Sequence, residues 1–174
     1  FGVAPAMLAH VLIRESLGVT GSLSTLSILD YMLIGMPLII PAFSAYRLAK
    51  FNLDIRQSYS FIGMPTPANA LFWVSLVFTS SLAPVFYEQF WQHTWLLVLC
   101  VIILSVLLVA EIPMFSFKFK NFTWKENKIR YIFIGSVILL VIFARMKAVS
   151  LIIPLYILMS LLNYRRISPG NPVK

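Results

Sequence analysis

Charged residues are scarce in this chain, and acidic residues are the scarcest of them. Only 11% of the 174 residues are charged, with 14 Lys and Arg against 6 Asp and Glu, whereas 60% are hydrophobic. Soluble domains carry about 25% charged and about 45–50% apolar residues. The composition therefore excludes a soluble globular protein, a disordered chain and a nucleic-acid-binding tail. The net charge of +8 is instead expected in loops that flank a membrane, and we predict no nucleic-acid partner.

Residues that commonly build metal and redox sites are also few. The single cysteine, Cys100, lies within an apolar run and has no second cysteine for a disulfide or a Cys-based metal site. The two aspartates, Asp30 and Asp54, fall on opposite membrane faces in the topology derived from the basic residues, and His10 and His93 are also far apart in it. The chain contains no P-loop, GxGxxG, CxxC or Ser-His-Asp set. We therefore assign no catalytic group and no metal ligand to these 174 residues.

Long apolar runs dominate instead, and six can be separated. They are Val3 to Ile13, Ile28 to about Leu48, Ala68 to Ala83, Trp95 to Phe115, Tyr131 to Ala144 and Val149 to Asn163. A spanning helix needs about 20 apolar residues, and backbone groups in lipid must be hydrogen-bonded within their own segment. The sequence therefore predicts an all-α polytopic bundle of about six membrane helices. We predict a membrane domain over 1–163 and a short basic tail over 164–174.

Orientation is predicted from the distribution of Lys and Arg. The segments 47–56, 118–130 and 165–174 hold 11 of the 14 basic residues and alternate correctly to share one membrane side. Cytoplasmic loops carry the excess of Lys and Arg, so these segments and the C-terminus are predicted to be cytoplasmic. The other three basic residues, Arg14, Arg145 and Lys147, fall on the opposite side. The turn that contains Arg145 and Lys147 runs against the expected scarcity of basic residues there.

Local signals refine the second span and the loop that follows the third. Pro37 and Pro41 predict a kink, because proline frees carbonyl groups in a membrane helix. Asp30, at the start of the same segment, predicts an interfacial or helix-capping group. The stretch 84–94, with several aromatic residues, is predicted to be an outer loop at the membrane interface.

Arg47 and Lys50 are the first candidate site residues. They are three positions apart, hence on one helical face, at the predicted cytoplasmic end of the second span. Two cations at this place can hold the phosphates of a lipid-linked substrate, and Arg supplies a bidentate fork. The alternative is that both side chains only anchor the span by reaching to the interface.

A proline-rich turn is the second candidate. The segment is Gly63-Met64-Pro65-Thr66-Pro67. Because a residue that precedes proline disfavours helical backbone, the segment is not expected to be regular helix ahead of Pro67. The third span is therefore expected to begin at Pro67 or Ala68. The turn is interpreted either as a simple re-entry turn at the interface or as one wall of a head-group pocket. Glu111, near the inner end of the fourth span, is a functional candidate because acidic residues at membrane depth are rare; the alternative is a hydrated interfacial residue.

Four segments together resemble the CDP-alcohol phosphatidyltransferase family. They are FGVAPA at 1–6, RLAKFN at 47–52, GMPTPA at 63–68 and IPMFSFK at 112–118. Each segment alone is weakly specific, and their order along the chain carries the resemblance. They look most like the members of the family that use serine as the acceptor.

The resemblance implies transfer of a phosphatidyl group from CDP-diacylglycerol to L-serine in the cytoplasmic (inner) membrane, with release of CMP. It implies substrate-binding roles for Arg47, Lys50, Asn52, Gly63, Pro65 and Pro67, and it leaves a homodimer open. The family also binds a divalent metal, Mg²⁺ or Mn²⁺, through an aspartate signature, D-x-x-D-G-x-x-A-R followed by G-x-x-x-D-x-x-x-D. No such run occurs here. We expect it just upstream of Phe1, with the family's first helices, and we expect the 174 residues alone to be inactive.

Two alternatives stay open at this point. The acceptor alcohol can be glycerol phosphate or inositol phosphate within the same family. The chain can also be a non-catalytic transporter or membrane assembly subunit, which predicts polar residues along several spans or a pseudo-symmetric repeat; the sequence shows neither.

Overall fold

Helices make up nearly all of the computed structural model, which describes residues 1–19, 26–53, 61–115 and 123–167. The helices are α1 (Val3–Ser16), α2 (Ile28–Gly35), α3 (Ile39–Leu53), α4 (Thr66–Leu82), α5 (Pro84–Phe90), α6 (Thr94–Val109), α7 (Trp124–Ala144) and α8 (Ala148–Ile167). Two two-residue strands, β1 (Phe61–Ile62) and β2 (Pro113–Met114), form an antiparallel pair with Phe61 opposite Met114. The predicted all-α class is confirmed, apart from this short pair.

The second predicted segment begins and bends as its local signals indicate. Ser27 caps α2, and its hydroxyl accepts a hydrogen bond from the Asp30 backbone N–H while the Asp30 carboxylate accepts one from the Ser27 N–H. The capping role predicted for Asp30 is therefore confirmed. A 3-10 turn over Met36–Leu38, with Pro37 inside it, then separates α2 from α3, which confirms the predicted irregularity.

The helices alternate in direction between two ends of the molecule. At one end, which we call the basic end, Arg47 of α3 contacts Thr66 of α4, and Lys50 contacts Glu111 just beyond α6. At the opposite end, the Ser16 and Thr94 hydroxyls are 2.8 Å apart. The α7–α8 connection lies at that opposite end too, because Lys147 sits over the Phe86 ring.

Helix α6 packs one face against α3 and α1. Its buried residues recur at helical spacing, with Leu97, Val101, Leu104 and Leu108 turned inward. Trp73 and Leu76 of α4 are also fully buried, so the core runs along the length of these helices.

The outer surface is strongly apolar. On α7, for example, Leu139, Ile142 and Phe143 are exposed, and Phe143 is 83% accessible. Soluble monomers rarely expose large contiguous apolar patches, so this surface indicates association with a membrane. By length and composition, two helical stretches are able to cross a membrane, Ile28–Asn52 and Asn127–Asn163; counting α5 and α6 together as one bent span would make three.

The predicted number of six spans is not confirmed. In the described part of the chain α1, α4 and α6 have 14, 17 and 16 residues, fewer than the roughly 20 that a straight span needs. The stretch 127–163 is folded back near Arg145, because the rings of Phe133 and Tyr156 lie 6.0 Å apart; α7 and α8 therefore form an antiparallel hairpin.

Several predicted segments differ from the structure. The fourth segment was expected to be helical to Phe115, but α6 ends at Val109 and β2 follows. Pro113 explains the change, because the residue before a proline is driven toward extended conformations. The stretch 84–94 was expected to be a loop, but it contains α5, which meets α6 at 80°. The predicted tail, 164–174, starts within α8, and 168–174 lie outside the described residues.

Candidate functional site

The last turns of α3 carry the predicted basic pair. Arg47 and Lys50 lie on the same face of this helix at the basic end, and both side chains are half-buried. Their charged groups reach polar partners on other elements, Thr66 for Arg47 and Glu111 for Lys50. The two cations are therefore held by tertiary contacts rather than projecting separately into solvent.

Arg47 links the two sequence motifs that were singled out separately. Its Nη1 donates a hydrogen bond to Oγ1 of Thr66, at 3.2 Å. Thr66 is the first residue of α4 and lies inside the predicted Gly63–Pro67 turn. Arg47 Nε is buried and has no hydrogen-bond partner among the described residues. The guanidinium thus keeps donors beyond the one that Thr66 receives, and the nearby N-terminus of α4 adds to the positive potential.

Lys50 forms an ion pair with Glu111. Its Nζ lies 2.8 Å from Glu111 Oε1, and the side chains are 31% and 65% exposed. A pair this exposed contributes at most about 1 kcal/mol to stability. We call these three residues, Arg47, Lys50 and Glu111, the basic cluster. The cluster carries one net positive charge, which favours an anionic ligand. Glu111 therefore has a specific partner in Lys50.

The turn before α4 is held tightly against the end of α6. The Gly63 N–H donates to the Ile112 carbonyl at 2.9 Å, and the Met64 N–H donates to the Leu107 carbonyl at 2.8 Å. Gly63 has a φ of +77°, and a Cβ at this position would lie 2.8 Å from the Leu108 carbonyl oxygen. Only glycine accommodates both the positive φ and this close approach without strain.

The remaining predicted site residues lie at the same end with different roles. Pro65 is the N-cap residue of α4, which begins at Thr66, and Pro67 is in its first turn, so the predicted start at Pro67 or Ala68 is one or two residues late. Asn52 is exposed in the last turn of α3. The described hydrogen bonds connect the turn to Arg47 but not to Asn52.

Sequence reasoning missed two buried polar residues near this end. Asn69, in the first turns of α4, is fully buried; its Oδ1 accepts a hydrogen bond from Trp73 Nε1, at 3.2 Å. Tyr156 of α8 donates to the Phe115 carbonyl at 3.1 Å. A polar residue inside an apolar run was the available signal for both.

A divalent metal does not fit the described residues. They contain no group of three or more His, Cys, Asp or Glu side chains close enough to hold an ion. Hard cations such as Mg²⁺ need several oxygen ligands, usually including carboxylates. Glu111, the one carboxylate of the basic cluster, is already paired with Lys50.

The fold is helical with a strongly apolar surface that indicates association with a membrane, and the basic cluster lies where α3, α4 and the end of α6 meet. The chain resembles curated proteins named CDP-diacylglycerol–serine O-phosphatidyltransferase. It is 28% identical to the one from Helicobacter pylori (strain ATCC 700392 / 26695) over 168 residues, which cover 94% of this chain and 62% of that protein. The protein from Helicobacter pylori (strain J99 / ATCC 700824) is 27% identical with the same coverage.

A third relative has higher identity over a shorter stretch. The protein of the same name from Mycobacterium leprae (strain TN) is 34% identical over 121 residues, 66% of this chain and 35% of that protein. The chain thus spans less than two thirds of the length of these relatives. Neither a protein-family model nor a solved structure matches the chain. The resemblance inferred from the four sequence segments is confirmed by these relatives.

Proposed function

We propose that the protein acts in phospholipid biosynthesis by transferring a phosphatidyl group from CDP-diacylglycerol to L-serine. The observation that carries this proposal is similarity over 94% of the chain to proteins of that name. The meeting of the RLAKFN and GMPTPA segments through Arg47 and Thr66 supports it, because those segments were the ones that suggested the family. We place the protein in the cytoplasmic membrane.

In the proposed reaction, the serine hydroxyl oxygen forms a bond to the phosphorus of the phosphatidyl group. The bond from that phosphorus to the CMP oxygen breaks, CMP leaves, and the serine hydroxyl proton passes to a base. The described residues offer no group of side chains that could hold a metal ion, and none of them is assigned as the base. Their proposed contribution is to bind and orient the anionic substrate.

Arg47 and Lys50 are the proposed anion-binding residues. The planar guanidinium of Arg47 matches a phosphate or carboxylate in a bidentate manner, whereas the Lys50 ammonium acts as a point charge. Glu111 lowers the cost of keeping Lys50 partly buried before substrate arrives. Gly63, Pro65 and Pro67 are proposed to shape the wall of the pocket, and Asn52 to provide a polar contact at its rim.

The acceptor alcohol is tested by measuring CMP release. With CDP-diacylglycerol as donor, we expect the full-length protein to release CMP with L-serine and not with glycerol phosphate or inositol phosphate. If CMP were released only with another alcohol, that alcohol would be the acceptor instead of serine. If no alcohol supported CMP release although the protein was folded in the membrane, a transporter or an assembly subunit would be favoured.

A separate prediction concerns the 174 residues on their own. The resemblance implies an aspartate-rich metal site, but this sequence has only two aspartates, Asp30 and Asp54. We therefore expect no CMP release from the isolated 174-residue chain, even with Mg²⁺ or Mn²⁺, and release after an upstream region with the aspartate signature is joined to it. Activity of the isolated chain would show that the reaction needs no such signature.

Orientation gives a further prediction. Because 11 of the 14 basic residues lie in three alternating segments, Lys125 and Asn171 are expected to face the cytoplasm. In a Cys100→Ala background, Lys125→Cys and Asn171→Cys should resist a membrane-impermeant thiol reagent in intact cells and react after permeabilisation. Lys147→Cys is the matched control and should react in intact cells. The opposite pattern would reverse the assigned orientation.

A further inference from the structure

A crevice separate from the basic cluster lies between α7 and α8. Its volume is about 280 Å³. It is lined by Lys128, Ile129 and Ile132 of α7 and by Met159, Leu162 and Asn163 of α8. The polar residues, Lys128 and Asn163, belong to the ends of the two helices, and the apolar ones lie deeper along the hairpin. The crevice therefore has a cationic rim and a hydrocarbon wall.

The rim of the crevice coincides with a marker of the membrane surface. Trp124 stacks on Tyr131, with ring centroids 5.3 Å apart and planes 6° from parallel. Trp and Tyr concentrate at the level of lipid head groups. Lys128 lies about one turn from each of these residues along α7, so we expect its ammonium near head-group depth.

The first turns of α7 are ordered by hydrogen bonds beside the rim. The buried Asn127 side chain donates to the Thr123 carbonyl at 3.1 Å and accepts a hydrogen bond from Arg130. Both contacts stabilise the helical turn that carries Lys128, so its backbone is ordered before a ligand binds. Preformed sites lose less conformational entropy on binding.

We propose that this crevice binds an anionic phospholipid of the surrounding bilayer. The lipid phosphate would accept hydrogen bonds from the Lys128 ammonium and the Asn163 amide. One acyl chain would lie against Ile132, Met159 and Leu162. Basic pockets between membrane helices are suited to anionic head groups. A cationic rim above an apolar wall complements the charged head group and the acyl chain of such a lipid.

The proposal is tested by lipid retention, which is independent of enzymatic activity. The whole chain is extracted from bilayers of equal phosphatidylglycerol and phosphatidylcholine, and native mass spectrometry measures the lipid that remains bound. We expect phosphatidylglycerol to be retained preferentially. Lys128→Gln should reduce its retention about fivefold, the change expected for one cation at an anionic surface. Met159→Trp, which fills the crevice and leaves the charge unchanged, should also reduce it.

Lys147→Gln is the matched control, because it removes the same charge at the opposite end of α7 and α8. It should retain phosphatidylglycerol as the unsubstituted chain does, and circular dichroism should show equal helix content in all variants. Equal losses in Lys128→Gln and Lys147→Gln would overturn the proposal in favour of diffuse charge attraction. Retention without preference between the two lipids would also overturn it, as would a dimer signal that Met159→Trp abolishes while lipid retention is unchanged.

Discussion

Arg47→Lys should lower kcat/KM for phosphatidyl transfer at least about tenfold in the full-length protein. Arg47 already donates one hydrogen bond to Thr66, which leaves the other edge of the fork for an anionic substrate group. Lysine cannot reproduce the planar bidentate geometry. Losing one hydrogen bond to a charged group costs about 1.5–3 kcal/mol, or roughly 10- to 150-fold in rate. Steady-state kinetics of CMP release measures the effect.

Lys50→Arg is the matched comparison at the same end of α3. Arginine preserves the charge and can still pair with Glu111, so the loss should be smaller than for Arg47→Lys. Both variants should insert into the membrane at wild-type levels, because either cation can reach the interface. If kcat/KM of Arg47→Lys equalled that of the unsubstituted protein, Arg47 and Lys50 would be interpreted only as residues that anchor the helix at the interface.

Gly63→Ala should destabilise the folded protein by about 2–5 kcal/mol. The positive φ of Gly63 costs a side-chain-bearing residue about 1–2 kcal/mol. The added Cβ would also meet the carbonyl oxygens of Leu108 and Ala110 at 2.8 and 2.9 Å, and forcing such overlap typically costs about 1–3 kcal/mol. These neighbours are backbone atoms, which cannot rotate away. Thermal unfolding in detergent should show a lower midpoint than that of the unsubstituted chain.

Gly135→Ala is the control for the same chemical change. Gly135 lies within α7, and a Cβ there would meet no atom within 4 Å. Alanine also favours helix over glycine, so the unfolding midpoint should stay the same or rise. An unchanged midpoint for Gly63→Ala would falsify the close packing between this turn and the end of α6.

Several features were predictable because they depend on neighbouring residues. The capping role of Asp30 follows from contacts three residues apart, and the break at Pro37 follows from the chemistry of proline. Helix α5 was missed because its aromatic residues equally fit an interfacial loop. The end of α6 was missed because apolar residues continue past Val109, although Ile112-Pro113 signals extended backbone.

The site itself was only partly predictable. Arg47, Lys50 and the Gly63–Pro67 turn were chosen from their residue types and from family resemblance. Their partners could not be derived in that way, since Thr66 is 19 residues from Arg47 and Glu111 is 61 residues from Lys50. Asn69 and Tyr156 were overlooked because a single polar residue in an apolar run does not indicate which helix it faces.

The sequence by itself determined that this protein is helical and associates with a membrane. Long apolar runs are more stable in a bilayer than in water, and their backbone groups must then be hydrogen-bonded within the same segment. Only the tertiary structure decided which helix ends meet. It placed Arg47 on Thr66, paired Lys50 with Glu111 and pressed Gly63 against the carbonyl groups at the end of α6. It also opened the crevice between α7 and α8. The reason is physical: these arrangements depend on packing between surfaces distant in sequence, and side-chain volumes and backbone hydrogen bonds at the contact select one arrangement.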